Sequence, residues 1–461
     1  MRRWTIAVGV LLLAPQAHAR NICEILKEKG VLNDVEYNEC RAEQEKEEVK
    51  TEKKAQDVLA LKWPKWLDMI TPFGDLRIRQ EGFYENHLIA NNRFRLRARV
   101  GLNVVPSDEA SATFRIASGN PNDPISTNQN FTTEFTRKPF NLDWAFLTLK
   151  PSHTIGLDPG WFTLMGGKFT VPFYRLTEMI WDDDLSPEGF SEIVNFWEQK
   201  EGFLRGVRLN MAQWVVNQVS TAPDPMMIGN QLVADTAFGS TATWSIAMAD
   251  YYYNHVNNVA RTNLNPANSA FNSSLQNSNG LVLMGNNTVL AYAEGFNMLN
   301  WTTEVDFANP FGVGVPAGIF GDFVYNTRAD GKSTGFYVGA GIGKAARDWY
   351  HDSLKNVGDW GLSYTNVWME QNATLSIFSY SDLAYIQQQA QQTGATNVVA
   401  SILRFDYMVL PNLQLTAKAH FINALDAGAA VATTTSGPVT FVPLNGNSTL
   451  VRTQLDATLR F

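Results

Sequence analysis

Arg93-Phe94-Arg95-Leu96-Arg97-Ala98-Arg99-Val100 places an arginine at every odd position and an apolar residue at every even one. A strand sends alternate side chains to opposite faces, whereas a helix would scatter the arginines around its circumference. The stretch is therefore a strand with one charged face and one greasy face. The same scheme returns at the other end of the chain. There Val451, Leu455, Ala457, Leu459 and Phe461 share one face, and Arg452, Gln454, Asp456, Thr458 and Arg460 the other. Residues 412–421 repeat it.

Alternating segments of about ten residues are the signature of a transmembrane β-barrel, but soluble sandwiches alternate too. Three further features favour the barrel: a terminal aromatic on an alternating strand, connections that switch between very short and very long, and an even strand count. Strands are expected near 73–84, 92–104, 110–118, 141–150, 160–169, 202–211, 213–221 and 230–238. The others fall near 242–253, 298–308, 313–326, 334–344, 357–369, 398–410, 412–423 and 448–461, sixteen in all. The least secure points are residues 211–213 and the turn at 345–357, which leave fourteen or eighteen strands open. The predicted turns are short, at Val105-Pro106-Ser107-Asp108, Gly239-Ser240-Thr241, Asn309-Pro310-Phe311-Gly312 and Pro411-Asn412. The intervening segments 119–140, 169–201, 254–297, 370–397 and 424–447 are long and polar, as cell-surface loops are. The fold class is thus an all-β transmembrane antiparallel barrel with a short helical segment before it.

That segment has two parts. Arg2 and Arg3 precede a short apolar run from Ile6 to Leu13, and Ala17-His18-Ala19 offers a cleavage site. Residues 1–19 therefore read as a Sec-type signal peptide rather than a buried helix, since the run is too short to span a bilayer. Its removal would take the formal net charge from −8 to −10. An acidic balance of this kind argues against a nucleic-acid partner. Residues 20–66 read as a helical periplasmic segment, with Gly30 stopping a first helix and Asn33 or Asp34 capping a second that runs toward Ala60. Cys23 and Cys40 are the only cysteines, and in an oxidising compartment they are expected to staple the two helices. A periplasmic spacer, a trimerising stalk and a cell-wall contact are the roles open to this hairpin or coiled-coil arm, and a plain spacer is the favoured one. The barrel is assigned to residues 70–461.

The barrel portion resembles the "putative porin" family of Gram-negative outer membranes. The likeness is carried by Phe94-Arg95-Leu96-Arg97-Ala98-Arg99, Gly166-Gly167-Lys168-Phe169, Asn309-Pro310-Phe311, Phe320-Gly321-Asp322-Phe323-Val324-Tyr325-Asn326 and Gly358-Asp359-Trp360. Ile25-Leu26-Lys27-Glu28-Lys29-Gly30-Val31 resembles the family's N-terminal helical stretch. The resemblance implies a pore-forming barrel assembled as a homotrimer, and it identifies no solute.

Lipid excludes charge, so the polar member of each alternating pair should face the lumen. Arg77, Arg79, Arg93, Arg95, Arg97 and Arg99 then form a basic ladder, joined by Lys418, Arg452 and Arg460 on the strands that close against the first. Half-way round, Glu304, Asp306 and Asp322 are expected to form an acidic wall. The third long loop follows Gly167-Lys168-Phe169 and carries Glu178, Trp181, Asp182, Asp183, Asp184 and Glu188. In general porins that loop folds inward as a constriction. The plainer readings are that ladder charges merely pair with neighbours, and that the acidic loop bridges lipopolysaccharide through divalent ions. Phe461 is the expected signal to the barrel-assembly machinery.

No Gly-x-Ser-x-Gly elbow, His-Glu-x-x-His pair or phosphate loop occurs; His87, His153, His255 and His351 fall in predicted loops or turns, and His420 is expected to face the lumen on the fifteenth strand. The expectation is a non-enzymatic channel for small hydrophilic solutes and ions in the outer membrane, in contact with lipid and lipopolysaccharide, with no cofactor and no metal. The alternative is a barrel that anchors an adhesin or an enzymatic activity carried by the long loops.

Overall fold

The structure is a computed structural model describing residues 23, 26–27, 29–43, 64–86, 89–131, 134–220, 222–284, 288–344, 354–384, 386–387, 391–392, 394–426, 430–433, 440–443 and 448–461. The chain divides into two compact units, residues 1–68 and 69–461.

In the first unit, a helix covers residues 34–43. Asn33 starts it: its Oδ1 accepts the amides of Val35 and Glu36 at 3.0 Å, and Glu36 Oε2 accepts the Asn33 amide at 2.9 Å. This reciprocal capping satisfies amides that a helix start would otherwise leave open. Gly30, at φ +70°, ends the preceding turn, with the Val31 amide reaching back to the Leu26 carbonyl. A disulfide joins Cys23 to Cys40. The expected leader and the continuation of the second helix toward Ala60 lie outside the described residues.

The second unit is built from sixteen antiparallel strands. They are β1 (Ile70–Tyr84), β2 (Asn91–Val104), β3 (Ala110–Ser118), β4 (Phe140–Leu149), β5 (Phe162–Lys168), β6 (Glu188–Glu198), β7 (Leu204–Val215) and β8 (Met226–Phe238). Then follow β9 (Ala242–Asn254), β10 (Asn297–Phe307), β11 (Ala317–Asn326), β12 (Thr334–Gly343), β13 (Trp360–Met369), β14 (Val398–Leu410), β15 (Leu413–Ala424) and β16 (Leu450–Arg460). Each pairs with its successor, and β1 pairs with β16 from Asp75↔Arg460 to Tyr84↔Val451, which closes the barrel. Phe461 seals this seam: it exchanges backbone hydrogen bonds with Gly74, and its ring occupies the space that a Gly74 side chain would need.

Two expectations about strands change, and they compensate. The segments 202–211 and 213–221 are a single strand, β7, because Met211-Ala212-Gln213 offers no residue that favours a turn. The expected loop 169–201 contains a strand instead, β6, whose outward Phe190, Val194 and Phe196 alternate with inward Ser191 and Asn195. Its three glutamates hid that alternation. Glu188 accordingly opens β6 and does not belong to the third loop, which spans residues 169–187.

The outward face is apolar along most strands, as lipid requires. It is interrupted on β6 to β9. Ser191, Trp214, Gln231 and Tyr251 are buried inside the barrel, so their chain neighbours Glu192, Gln213, Asn230 and Asp250 point out. Gln213 Nε2 donates to Glu192 Oε2 at 3.3 Å, and Asn230 is the register partner of both Met211 and Asp250.

Candidate functional site: the lumen

Inward alternation puts Arg77 and Arg79 on β1 beside Arg93, Arg95, Arg97 and Arg99 on β2, with Arg77↔Arg97 and Arg79↔Arg95 in direct register. Like charges directly opposite one another destabilise a sheet unless something lies between them. Here the same strands supply the counter-ions, which sequence reading passed over. Asp75 meets Arg97 at 2.8 Å and Arg99 at 2.6 Å. Glu81 meets Arg93 at 2.5 Å, Arg95 at 3.5 Å and Arg452 at 2.5 Å. Asp456 takes Arg79 at 2.7 Å, and Asp143 takes Arg115 at 2.5 Å. The sequence places Asp75 and Glu81 on the odd face of Arg77 and Arg79, but which arginines they meet is set by the register of β1 against β2. The wall is a mosaic of paired charges rather than a run of one sign. Arg460 donates to Gln414 Oε1 at 2.8 Å at the foot of this wall.

The third loop lies inside the barrel. Its apolar side chains pack on the inner faces of β7 to β9: Trp181 against Trp214 at 5.2 Å and Tyr251 at 5.4 Å, and Phe173 against Tyr251 at 4.9 Å. Gly229 makes room, since a side chain there would stand 2.7 Å from the Phe173 ring. The Tyr174 backbone is clamped at both ends by the Gln231 amide, at 2.8 and 2.7 Å. On β10 and β11, Glu304 accepts the Tyr174 hydroxyl at 2.6 Å, while Asp322 accepts Thr177 and Asn300. Asp306 is also buried and inward. Glu304 and Asp322 thus lie beneath the third loop and hold it, instead of facing the ladder across open water.

The loop's acidic tip is what meets the ladder. Asp184 lies 3.7 Å from Arg97 and 3.5 Å from Arg99, and it accepts both the amide and the hydroxyl of Thr127 at 3.0 Å. Burial works to raise the Asp184 carboxyl, but Arg97, Arg99 and Arg77 outweigh it and hold it well below the usual carboxylate range. Burial wins at Asp182 and Glu178, which are pushed up, with neighbouring carboxylates adding to the effect. Asp183 pairs with Arg175 at 3.2 Å and is also raised by burial. Among the described residues, no group of three or more His, Cys, Asp or Glu side chains is arranged to hold a metal ion.

Asp184 lines two cavities. The outer one, of about 320 Å³, is walled by the loops that follow β3, β5, β7, β9 and β13, the second to fifth and the seventh, and includes Asn120, Asp123, Asn141 and Lys168. The inner one, of about 560 Å³, is walled by the ladder and reaches Phe73, Gly74 and Phe461 at the barrel's other end. Asp123 in the outer cavity is raised by burial to about 6.

The seventh loop, expected at the cell surface, also turns inward, with Leu375, Ile377 and Leu383 buried. It bonds to the third loop through Tyr380 N to Glu178 O at 3.0 Å, Asp182 N to Phe378 O at 2.8 Å and Ser381 N to Asp182 Oδ2 at 2.9 Å. Its Asp382 reaches the ladder, 2.6 Å from Arg452 and 3.6 Å from Arg79. His420 on β15 lies 3.1 Å from the Tyr380 hydroxyl, and Lys418 stands 3.4 Å from the same oxygen. His153 and His255 lie in connections away from this cluster, and His87 and His351 lie outside the described residues.

The family described as "Putative porin" matches residues 83–385. No curated protein matches the chain. Among solved structures, it is similar to the high-pH structure of Pseudomonas putida OprB, at 11% identity over 86% of this chain and 96% of that one, with a TM-score of 0.48. It is also similar to OmpT, an outer membrane protein of Vibrio cholerae, at 9% identity over 85% and 97% of the two chains, TM-score 0.43. An anion-selective porin from Comamonas acidovorans is 13% identical over 85% and 99%, TM-score 0.43.

Proposed function

The chain belongs to the putative porin family of outer-membrane barrels, and we propose that its lumen passes small hydrophilic solutes and ions by diffusion, with the third loop as its constriction. The observation that carries this reading is Asp184, which faces Arg97 and Arg99 and borders both the outer and the inner cavity. Polar, charge-lined cavities on either side suit hydrated solutes, and any solute passing between them meets a carboxylate and two guanidiniums at once. The ladder residues Arg77 to Arg99, with Lys418 and Arg452, line or support that path. Glu304, Asp306 and Asp322 act as anchor points for the loop in this reading.

Export by residues 1–19 and a periplasmic role for residues 20–66 complete the proposal. So does assembly as a homotrimer, which the outward polar stripe Glu192, Gln213, Asn230 and Asp250 supports, because lipid alone would solvate it poorly.

The test is planar-bilayer recording of the refolded protein, with Asp184→Asn beside it. Stable open steps are expected. The variant should shift the reversal potential toward anions in a salt gradient, since two arginines lose a counter-charge. The interlocked third and seventh loops favour a second reading, a filled barrel that anchors its external loops. Folded protein that never conducts would choose that one.

A further inference from the structure

Within the inner cavity the pairing of charges is incomplete in two places. Arg79, Arg97, Arg99, Arg115, Arg175 and Arg404 each have a carboxylate within 3.2 Å. Arg77 and Lys418 line the same cavity, and among the described residues neither has a carboxylate within 4.0 Å. Arg77 spends Nη2 on Asn128 Oδ1 at 2.7 Å, while its Nε is buried with no partner. Among the described residues, Lys418 makes one hydrogen bond, the long contact to the Tyr380 hydroxyl. A guanidinium whose buried N–H goes unused is costly unless something accepts from the group.

Resting on the porin reading, we propose that the inner cavity is a binding site for small organic carboxylates, with Arg77 taking the carboxylate and Lys418 supplying the second positive charge. A guanidinium edge fits the planar fork of a carboxylate. The class is a monocarboxylate rather than a phosphate. Asp75, Asp456, Asp382 and Asp184 also line the cavity and already engage neighbouring arginines, so a single planar carboxylate meets the one fork that Arg77 leaves free. The volume of about 560 Å³ admits a hydroxylated chain behind the carboxylate, and Thr458, the register partner of Arg77, lies on the wall beside it.

The experiment is calorimetric titration of the full folded chain in detergent with gluconate, with glucose as the neutral probe of similar size, and with inorganic phosphate. Gluconate should bind saturably, phosphate more weakly and glucose not at all. Arg77→Gln and Lys418→Gln should each weaken gluconate about ten-fold, and Arg77→Lys should recover part of the loss. Equal affinity in all variants, absence of saturable gluconate binding, or tighter binding of phosphate would overturn the assignment. Bilayer recording on the same samples separates the two readings. A conducting protein that ignores gluconate sinks the site alone, whereas a silent protein that binds it sinks the channel and leaves the site.

Discussion

Asp184 and Asp123 are both loop carboxylates lining the outer cavity, yet their surroundings drive them in opposite directions. The first is held ionised by guanidiniums that outweigh its burial; the second has burial as its largest influence and sits at about 6. Asp123 therefore carries its charge above pH 6 and loses it below, while Asp184 keeps its charge throughout. Acidifying the external side should move the reversal potential toward anions with a midpoint near pH 6. Asp123→Asn should abolish that shift, and a pH response that persists in the variant would point to another group. The same carboxyl should stabilise the fold slightly on acidification, because its folded pKa lies above its ordinary one. At this scale the sequence was legible for inward direction but not for partners. Alternation showed that Arg95 and Arg97 point into the barrel. That Asp75 and Glu81 would neutralise them depends on the register of β1 against β2, which no single strand contains.

At the scale of elements, β9 explains how a buried loop leaves a trace in sequence. Before the outward Asp250 of the polar stripe, its outward face carries Trp244, Ile246 and Met248, and its inward face carries Ala247, Ala249, Tyr251 and Tyr253. A barrel strand apolar on both sides has lipid on one and protein on the other, because open water would select polar residues. The inward tyrosines and Trp214 thus announced the third loop's seat, although nothing local said which loop would fill it. Trp181 is the side chain that plugs into this seat. Trp181→Ala should lower stability by roughly 3–5 kcal/mol and, by freeing the loop tip, raise and roughen the single-channel current. Heat-modifiability on gels reads the first effect and bilayer noise the second. A variant as stable and as quiet as wild type would mean that the loop is held by Tyr174 and Thr177 alone. The seventh loop's inward turn was not legible, since its polar Gln371, Asn372, Thr374 and Ser376 suit a surface as well as a hydrogen-bonded interior.

For the whole molecule, strand number and closure were readable, and even the displaced strands left the total intact. A homotrimer was implied by the family resemblance, but a contact face was not readable, because the outward stripe on β6 to β9 becomes visible only when four strands are laid side by side. Lipid contact would leave Glu192 and Asp250 poorly solvated, whereas a second copy offers amides and backbone to meet them. Glu192→Leu combined with Asp250→Leu should make the stripe comfortable in lipid and shift a trimer toward monomer in sedimentation or native mass measurements. A trimer unchanged by the substitutions would place the contact elsewhere on the barrel.

The mosaic of paired charges on the ladder wall has a consequence for how the lumen behaves in salt. Mobile ions screen over about 10 Å at 0.1 M, and only near 1 M does that length shrink to about 3 Å. The ladder's own pairs sit 2.5 to 3.5 Å apart, well inside the 0.1 M length and comparable to the 1 M one. Dissolved ions cannot easily insert themselves between partners so close. The wall accordingly offers a passing solute a fine grain of alternating poles rather than a distant pull, and brine that erases long-range attraction should leave that texture in place.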